Sequence, residues 1–462
     1  MKKYFNTQKL VTIVLGFLVF IQFSCRKFTD AKVSPNLIQT SQLFISDVTA
    51  LSAVNGVYYQ MRAVSPSIFN GAISIYGGLS ADEFTTSLTS QEYGAFFRNS
   101  ILTTSTVINS QIWSAAYRVI YRSNAIIENL QKSNGVTTAT KRQLIGEMKT
   151  VRGFAYFFLV NLFGDVPLVL DIEYTNNSRM SRTSMSEIYS QIISDLKDAI
   201  ELLSDEYPSN LRSRPNRFTA ASLLAKVYLF NKDWVNAEQY SSLVINSGKY
   251  SLVSNLNEVF KNFSNETIWQ IAPGNESRNT IEGANFIPAT MTSIPSMVIH
   301  STLSSAFEIG DRRRASWIGV NLNGGNQYLY ANKYKRRVAT PVDEYLIVGR
   351  LAEQYLIRAE ARAMQNKLLE SLQDVNVIRN RAGLLNSNAN DMASLVSAII
   401  QERRVELFAE WGNRWLDLKR LGLANSVLGL VKGTNWQETD ALFPIPFAEI
   451  EINNLLNQNP GY

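Results

Sequence analysis

Residues 220–245 read as two helices joined by a short polar turn: Ala220-Ala221-Ser222-Leu223-Leu224-Ala225-Lys226-Val227-Tyr228-Leu229-Phe230, then Asn231-Lys232-Asp233, then Trp234-Val235-Asn236-Ala237-Glu238-Gln239-Tyr240-Ser241-Ser242-Leu243-Val244-Ile245. Ala221, Leu224, Ala225, Tyr228 and, nine residues on, Ala237 follow the small and large residue order of a tetratricopeptide hairpin, in which small side chains let two helices approach closely. A looser copy places Tyr355, Ala359, Val375 and Ile378 at corresponding offsets. Ordinary helix packing can produce either segment alone; together they point to repeats that bury a core by stacking on their neighbours.

Outward from this hairpin, helical spacing recurs. In Ser184 to Leu203, the residues Ile188, Ile192, Leu196, Ala199, Ile200 and Leu203 share one stripe, and Ser184 with Glu187 forms a capping box. Tyr117 to Leu130, Ile145 to Phe163, Leu351 to Ala363, Leu372 to Ala382 and Leu395 to Trp411 read likewise, so the chain is expected to be mainly α. Two long stretches, Ser65 to Thr106 and Asn262 to Pro341, do not read as helix. They are rich in Gly, Ser, Thr and Asn with scattered aromatics, apart from a short expected strand at Thr267 to Ile271. Loops this long inside a compact protein are usually functional or disordered, and a site is expected there.

The N-terminus carries Lys2, Lys3 and Lys9, an apolar run from Leu10 to Ile21, then Ser24 and the only cysteine, Cys25. That order is an export signal, and the apolar run is shorter than the ~20 residues a membrane span needs. A thiol at the cleavage point predicts a lipoprotein: residues 1–24 are removed, Cys25 is acylated, and 25–40 form a polar tether containing Pro35. Gln22 stands where lipoprotein signals usually carry an aliphatic residue, and an ordinary secreted chain is the competing reading.

Composition excludes much enzyme chemistry. With Cys25 committed to the anchor there is no disulfide, cysteine nucleophile or thiolate metal site. A single histidine, His300, rules out paired-histidine metal motifs, and its apolar neighbours Met297-Val298-Ile299 suggest a structural role. The formal charge is +6, and losing residues 1–24 leaves 42 basic against 39 acidic side chains, or +3. So mild and interspersed a charge argues against nucleic acid.

Six ordered blocks resemble a known family. They are Arg152-Gly153-Phe154-Ala155-Tyr156-Phe157-Phe158 with Leu162-Phe163-Gly164-Asp165-Val166-Pro167-Leu168; Tyr355-Leu356-Ile357-Arg358-Ala359-Glu360-Ala361; Asn376-Val377-Ile378-Arg379-Asn380-Arg381-Ala382-Gly383-Leu384; Gln401-Glu402-Arg403-Arg404-Val405-Glu406-Leu407 through Trp415-Leu416-Asp417-Leu418-Lys419-Arg420; Leu442-Phe443-Pro444-Ile445-Pro446; and Gln458-Asn459-Pro460-Gly461-Tyr462. Together they look like the SusD/RagB family of Bacteroidetes outer-membrane lipoproteins. The resemblance implies one domain over 41–462, a tetratricopeptide-like helical scaffold with long irregular ligand-binding loops and minor β pieces. It also implies a surface-exposed, lipid-anchored nutrient-binding protein, not an enzyme, with no cofactor and no metal. Such a protein captures oligosaccharide, or in some members peptide, and delivers it to a SusC-like TonB-dependent transporter.

The blocks themselves read as structure. Gly164 and Pro167 stop a helix, and Glu402, Arg403, Arg404, Glu406, Arg414, Asp417, Lys419 and Arg420 suit Arg–carboxylate pairing between helices. Sugar recognition instead needs flat apolar faces beside polar groups. The first stretch offers Tyr76, Asp82, Glu83, Phe84, Gln91, Tyr93, Phe96, Phe97, Arg98 and Asn99; the second offers Asp311, Arg312, Arg314, Trp317, Asn321, Asn323, Asn326, Gln327, Tyr328 and Tyr330. Tyr76, Tyr93, Phe96, Trp317 and Tyr330 are the expected stacking faces, and Asp82, Arg98 and Asn326 the expected polar contacts. Gly77-Gly78 reads as a turn. Two further readings stay open: a glycoside hydrolase using Asp82-Glu83 as paired carboxylates, and a helical-repeat adaptor binding protein alone.

Overall fold

In a computed structural model of the chain, the described residues are 43–462 apart from 64–65, 275–277 and 339. The signal segment, Cys25 and the tether lie outside them. The helices of eight or more residues are α1 (Asp47–Ala63), α2 (Gln91–Arg98), α3 (Ser114–Lys132), α4 (Thr138–Phe163), α5 (Met185–Leu202), α6 (Arg217–Phe230), α7 (Trp234–Ile245), α8 (Leu351–Met364), α9 (Leu368–Arg381), α10 (Met392–Glu406), α11 (Asn413–Arg420) and α12 (Ala424–Lys432). Six short strands, β1 (Phe84–Thr86), β2 (Thr267–Ile271), β3 (Met297–Ile299), β4 (Ile318–Asn323), β5 (Asn326–Ala331) and β6 (Leu346–Arg350), pair antiparallel as β1–β3, β2–β6 and β4–β5. The fold is mainly α, as expected.

From α3 to α10 each helix packs on the next, which is how repeat hairpins complete a core that none could build alone. Ala221, Ala225 and Ala237 are fully buried where α6 meets α7, and Tyr228 stacks on Tyr240 at 5.6 Å. In the second hairpin Ala359 and Val375 share a core cluster with Leu395 of α10. Helix α4 is buried on every side through its second half, and Phe154 packs edge-on against Phe158, Trp269 and Trp411. The capping box at Ser184 and the helix stop at Gly164, with φ +74°, are both present.

Four expectations are corrected. The stretch from Ser65 to Thr106 is not a loop: it holds a π-helical turn at Ile73–Gly77, a helical turn at Gly78–Ser80, β1 and α2. Residues 67–84 are all buried, so this segment has no polar face and no amphipathic period to read. Gly77-Gly78 is accordingly helical rather than a turn. Glycine serves close approach there, since a Cβ on Gly78 would stand 2.6 Å from the Phe84 ring. The stretch from Asn262 to Pro341 contains strands β2 to β5 and three short helices. Finally, the helix expected to run to Trp411 ends at Glu406, because Ala409 and Trp411 adopt φ of +57° and +49° before α11 begins.

Candidate functional site

The two long stretches meet. β1, from the first, pairs with β3, from the second, in the register Phe84↔Ile299, Thr85↔Val298 and Thr86↔Met297. Helix α2 lies against β1, and β3 lies against β5, so one surface runs from α2 across the small sheet to the β4–β5 hairpin. The hairpin turns on Gly324-Gly325, both at positive φ, as a two-residue turn compatible with strand twist requires.

Strand alternation sets Asn326, Tyr328 and Tyr330 on one hairpin face, opposite Asn323, Asn321 and Gly319. The Asn321 amide donates to the carbonyls of Thr290 and Ser293, and Asn323 donates to Thr292, tying this face to the segment around 290–293. Gly319 is the residue whose part the sequence did not reveal. The Tyr330 ring lies across it, and a Cβ there would sit 2.1 Å from the ring. The glycine therefore seats a flat aromatic ring that stays half-exposed.

On α2, Tyr93 and Phe97 are half-buried and Arg98 is exposed. Tyr93 stacks on Tyr76 at 5.6 Å, and the Lys432 ammonium stands 4.4 Å over the Phe97 ring while donating to the carbonyls of Leu79 and Phe97. Burial lowers the Lys432 pKa to about 7, partly opposed by Asp82.

Nine of the offered residues, Tyr76, Asp82, Glu83, Phe84, Phe96, Asn99, Asp311, Trp317 and Asn321, lie instead in the interior. Trp317 is wholly buried: its indole N–H donates to the Leu256 carbonyl at 2.9 Å, and the cationic groups of Lys333, Arg350 and Arg381 stand within 6 Å of the ring. Phe96 is packed between Tyr76 and Phe443, and Tyr76 is itself buried with its hydroxyl pKa pushed well up by desolvation. Asp82 accepts from Arg414 at 2.7 Å and from Arg404 at 2.5 Å. Glu83 points elsewhere, towards the Ala409 amide, and burial followed by the Asp82 charge raises its pKa to about 8. With both carboxyls buried and Asp82 engaged by two arginines, this pair does not form the open couple that glycoside hydrolysis needs. Asn99 is a helix end at φ +57° whose amide donates to Ser80, Asp311 grips Arg313, and His300 caps a short helix by accepting from the Thr302 amide. Tyr93, Phe97, Arg98, Asn326, Tyr328 and Tyr330 remain at the surface. Among the described residues no group of three or more His, Cys, Asp or Glu side chains is placed to hold a metal.

The structural blocks behave as their chemistry suggests. Glu406 pairs with Arg313, Arg350 and Arg381, Glu402 with Arg313 and Arg379, Asp417 with Arg403 and Arg420, and Arg420 with Glu360.

The chain is similar to known proteins over most of its length. A family model described as "Starch-binding associating with outer membrane" matches residues 57–229, and the SusD family model matches residues 308–462. The chain is 26% identical to SusD-like protein P25 of Formosa agariphila, over 97% of this chain and 99% of that one. It is 25% identical to the starch-binding protein SusD of Bacteroides thetaiotaomicron, over 72% and 75%. Among solved structures, a SusD superfamily protein from Bacteroides vulgatus superposes with a TM-score of 0.82 at 21% identity, covering 90% of this chain and 99% of that one. A laminarin-binding SusD-like protein superposes at 0.76 and 24% identity, covering 90% and 100%. With two family models covering most of the chain and full-length relatives on both comparisons, this protein belongs to the SusD/RagB family, a family associated with carbohydrate binding and with the outer membrane.

Proposed function

We propose that this protein captures oligosaccharide on the surface running from α2 to the β4–β5 hairpin and delivers it to a SusC-like TonB-dependent transporter, while lipid on Cys25 holds it at the outer face of the outer membrane. The observation that carries the reading is the convergence of two remote stretches through β1–β3, with the Tyr330 ring lying over Gly319 beside Tyr328 and Asn326. Half-exposed rings offer faces to the C–H side of pyranoses, and Asn326 and Arg98 offer donors to hydroxyls. The scaffold holds the rings in place, so little entropy is lost on binding.

The names of two relatives choose the ligands to try. Calorimetry on the full-length protein in mild detergent, with maltoheptaose and laminarihexaose, tests the capture step. Saturable binding weakened by Tyr330→Ala is the expected result. Binding that survives Tyr93→Ala, Phe97→Ala, Tyr328→Ala and Tyr330→Ala, each variant still folded, removes this surface as the site. Affinity purification from detergent extracts tests delivery: a large TonB-dependent barrel should be recovered with the chain.

A further inference from the structure

A cleft of about 600 Å³ lies away from that surface, and none of its lining residues comes from the two long stretches. One wall is helix α3, which presents Tyr117 and Tyr121 in one row and Arg118 and Arg122 in the next, each pair one turn apart. The opposite wall is the strap 167–178, held to α3 and α4 by hydrogen bonds. Tyr117 donates to the Pro167 carbonyl at 2.8 Å, Asn124 donates to the Val169 carbonyl at 3.0 Å, and the Val169 amide donates to Tyr156 at 2.7 Å. The third side is the C-terminal turn, fixed where Asn453 donates to the Met180 carbonyl at 2.8 Å.

The chemistry inside is specific. Trp113 forms the floor, braced edge-on by Phe163 at 5.1 Å. Tyr121 and Tyr174 stand on the rim at 51% and 79% exposure, an unusual outlay of aromatic surface for a solvated helix face. Arg118 and Arg122 are exposed, and neither forms an ion pair among the described residues, whereas Arg313, Arg350, Arg403, Arg414 and Arg420 are all paired. Deeper in, burial raises the Glu449 pKa.

We propose that this cleft is a second ligand site, for a short saccharide carrying a carboxylate or sulfate group. Two unpaired guanidiniums one turn apart present forked donors that match such an anion. Tyr121 and Tyr174 supply ring faces for the sugar plane, and Glu449 meets hydroxyls away from the charged group. The volume accommodates a few sugar units rather than a protein segment.

The test uses the full-length protein in detergent and three probes: a four-unit oligogalacturonate, the same oligosaccharide fully methyl-esterified, and a sulfated galactan tetrasaccharide. At least one anionic probe should bind, with affinity falling as salt rises from about 50 to about 500 mM, since exposed charges are screened over that range. If the uronate is the one that binds, its ester should bind more weakly. The double variant Arg118→Ala/Arg122→Ala should weaken binding about tenfold or more, as loss of two charge-assisted hydrogen bonds implies. Tyr174→Ala should also weaken it. Tyr330→Ala should leave it unchanged, which separates this site from the hairpin surface whatever neutral glucans do there. Binding by neither anionic probe, binding untouched by the arginine substitutions in a protein of unaltered melting temperature, or binding lost with Tyr330→Ala would each overturn the assignment.

Discussion

Trp317 and Tyr330 are both aromatic residues of the second long stretch, yet one holds the molecule together and the other faces solvent. Trp317 is surrounded by buried cations, so Trp317→Ala should cost about 3–5 kcal/mol, the range for deleting a core aromatic, and show first in urea denaturation. Tyr330→Ala should leave stability nearly unchanged. It should instead weaken saccharide binding by about 1–3 kcal/mol, roughly 5- to 150-fold, by analogy with other aromatic stacking. Nothing local in the sequence separates the two, because burial is decided by residues far along the chain. Glu83 makes the same point with a charge. Its Oε1 has no hydrogen-bond partner and its pKa is raised to about 8. A carboxyl whose folded pKa exceeds the unfolded value holds its proton more tightly in the native state. This group therefore stabilises the fold at low pH and withdraws that support between pH ~4.5 and ~8, by up to about 1.4 kcal/mol per pH unit. Glu83→Gln should then gain on the wild type in melting temperature between pH 5.5 and 8.5. Parallel pH curves for the two proteins would show that Glu83 is not titrating there.

At the scale of elements, those with a polar and an apolar face were legible, and those buried all round were not. The hairpin α6–α7, the capped helix α5 and strand β2 stand where periodicity and capping residues put them. Residues 67–84 hid their helical turns because they have no solvent side. The break after α10 was hidden for a different reason: Leu395 to Trp411 has helical spacing throughout, and tertiary contacts override it. The Trp411 amide donates to Ser74 at 3.0 Å, its indole donates to the Ile347 carbonyl at 2.7 Å, and Glu410 accepts from Arg350. Gly412 then lets the chain pass the π-helical turn, at φ +59° with the Ile73 carbonyl 3.0 Å from where a Cβ would stand. Gly412→Ala should cost about 2–4 kcal/mol, from an unfavourable left-handed conformation plus a shift of packed backbone. Gly248, at φ +70° with open space around it, is the control. Gly248→Ala should lose only the conformational part, about 1–2 kcal/mol. Equal losses at the two positions in urea titrations would mean the close approach contributes nothing.

For the whole molecule, the candidate surface was only half legible: the right stretches could be named, but not which side chains stay outside. The anchor is argued from sequence, and Cys25→Ala should leave the protein exported yet soluble on cell fractionation. Unchanged membrane retention, with no acyl mass on the wild-type N-terminus, would remove the lipid. Between surface and scaffold lies a buried lattice of charge. Arg313, Lys333, Arg350, Arg379 and Arg381 meet Glu266, Asp311, Glu402, Glu406 and Glu410, joining the residue before β2, strand β6 and helix α9 to α10 and the turn beyond it. Ion pairs out of water gain little net stability, but removing one partner strands the others. Arg350 bonds Glu266, Glu406 and Glu410 at once, so Arg350→Met should cost about 3–5 kcal/mol. The pH dependence identifies the cause. Burial favours the neutral form of Glu406, but Arg381, Arg350 and Arg313 override it and hold the carboxyl well below the usual range. A depressed pKa contributes stability that is present above pH ~4.5 and lost as pH falls. Without Arg350 part of that contribution disappears. The deficit of Arg350→Met should therefore hold from pH 7 down to about pH 4.5 and shrink below that, as the carboxyls left with fewer cationic partners take up protons. A deficit that stays constant below pH ~4.5 would indicate lost packing rather than lost charge compensation.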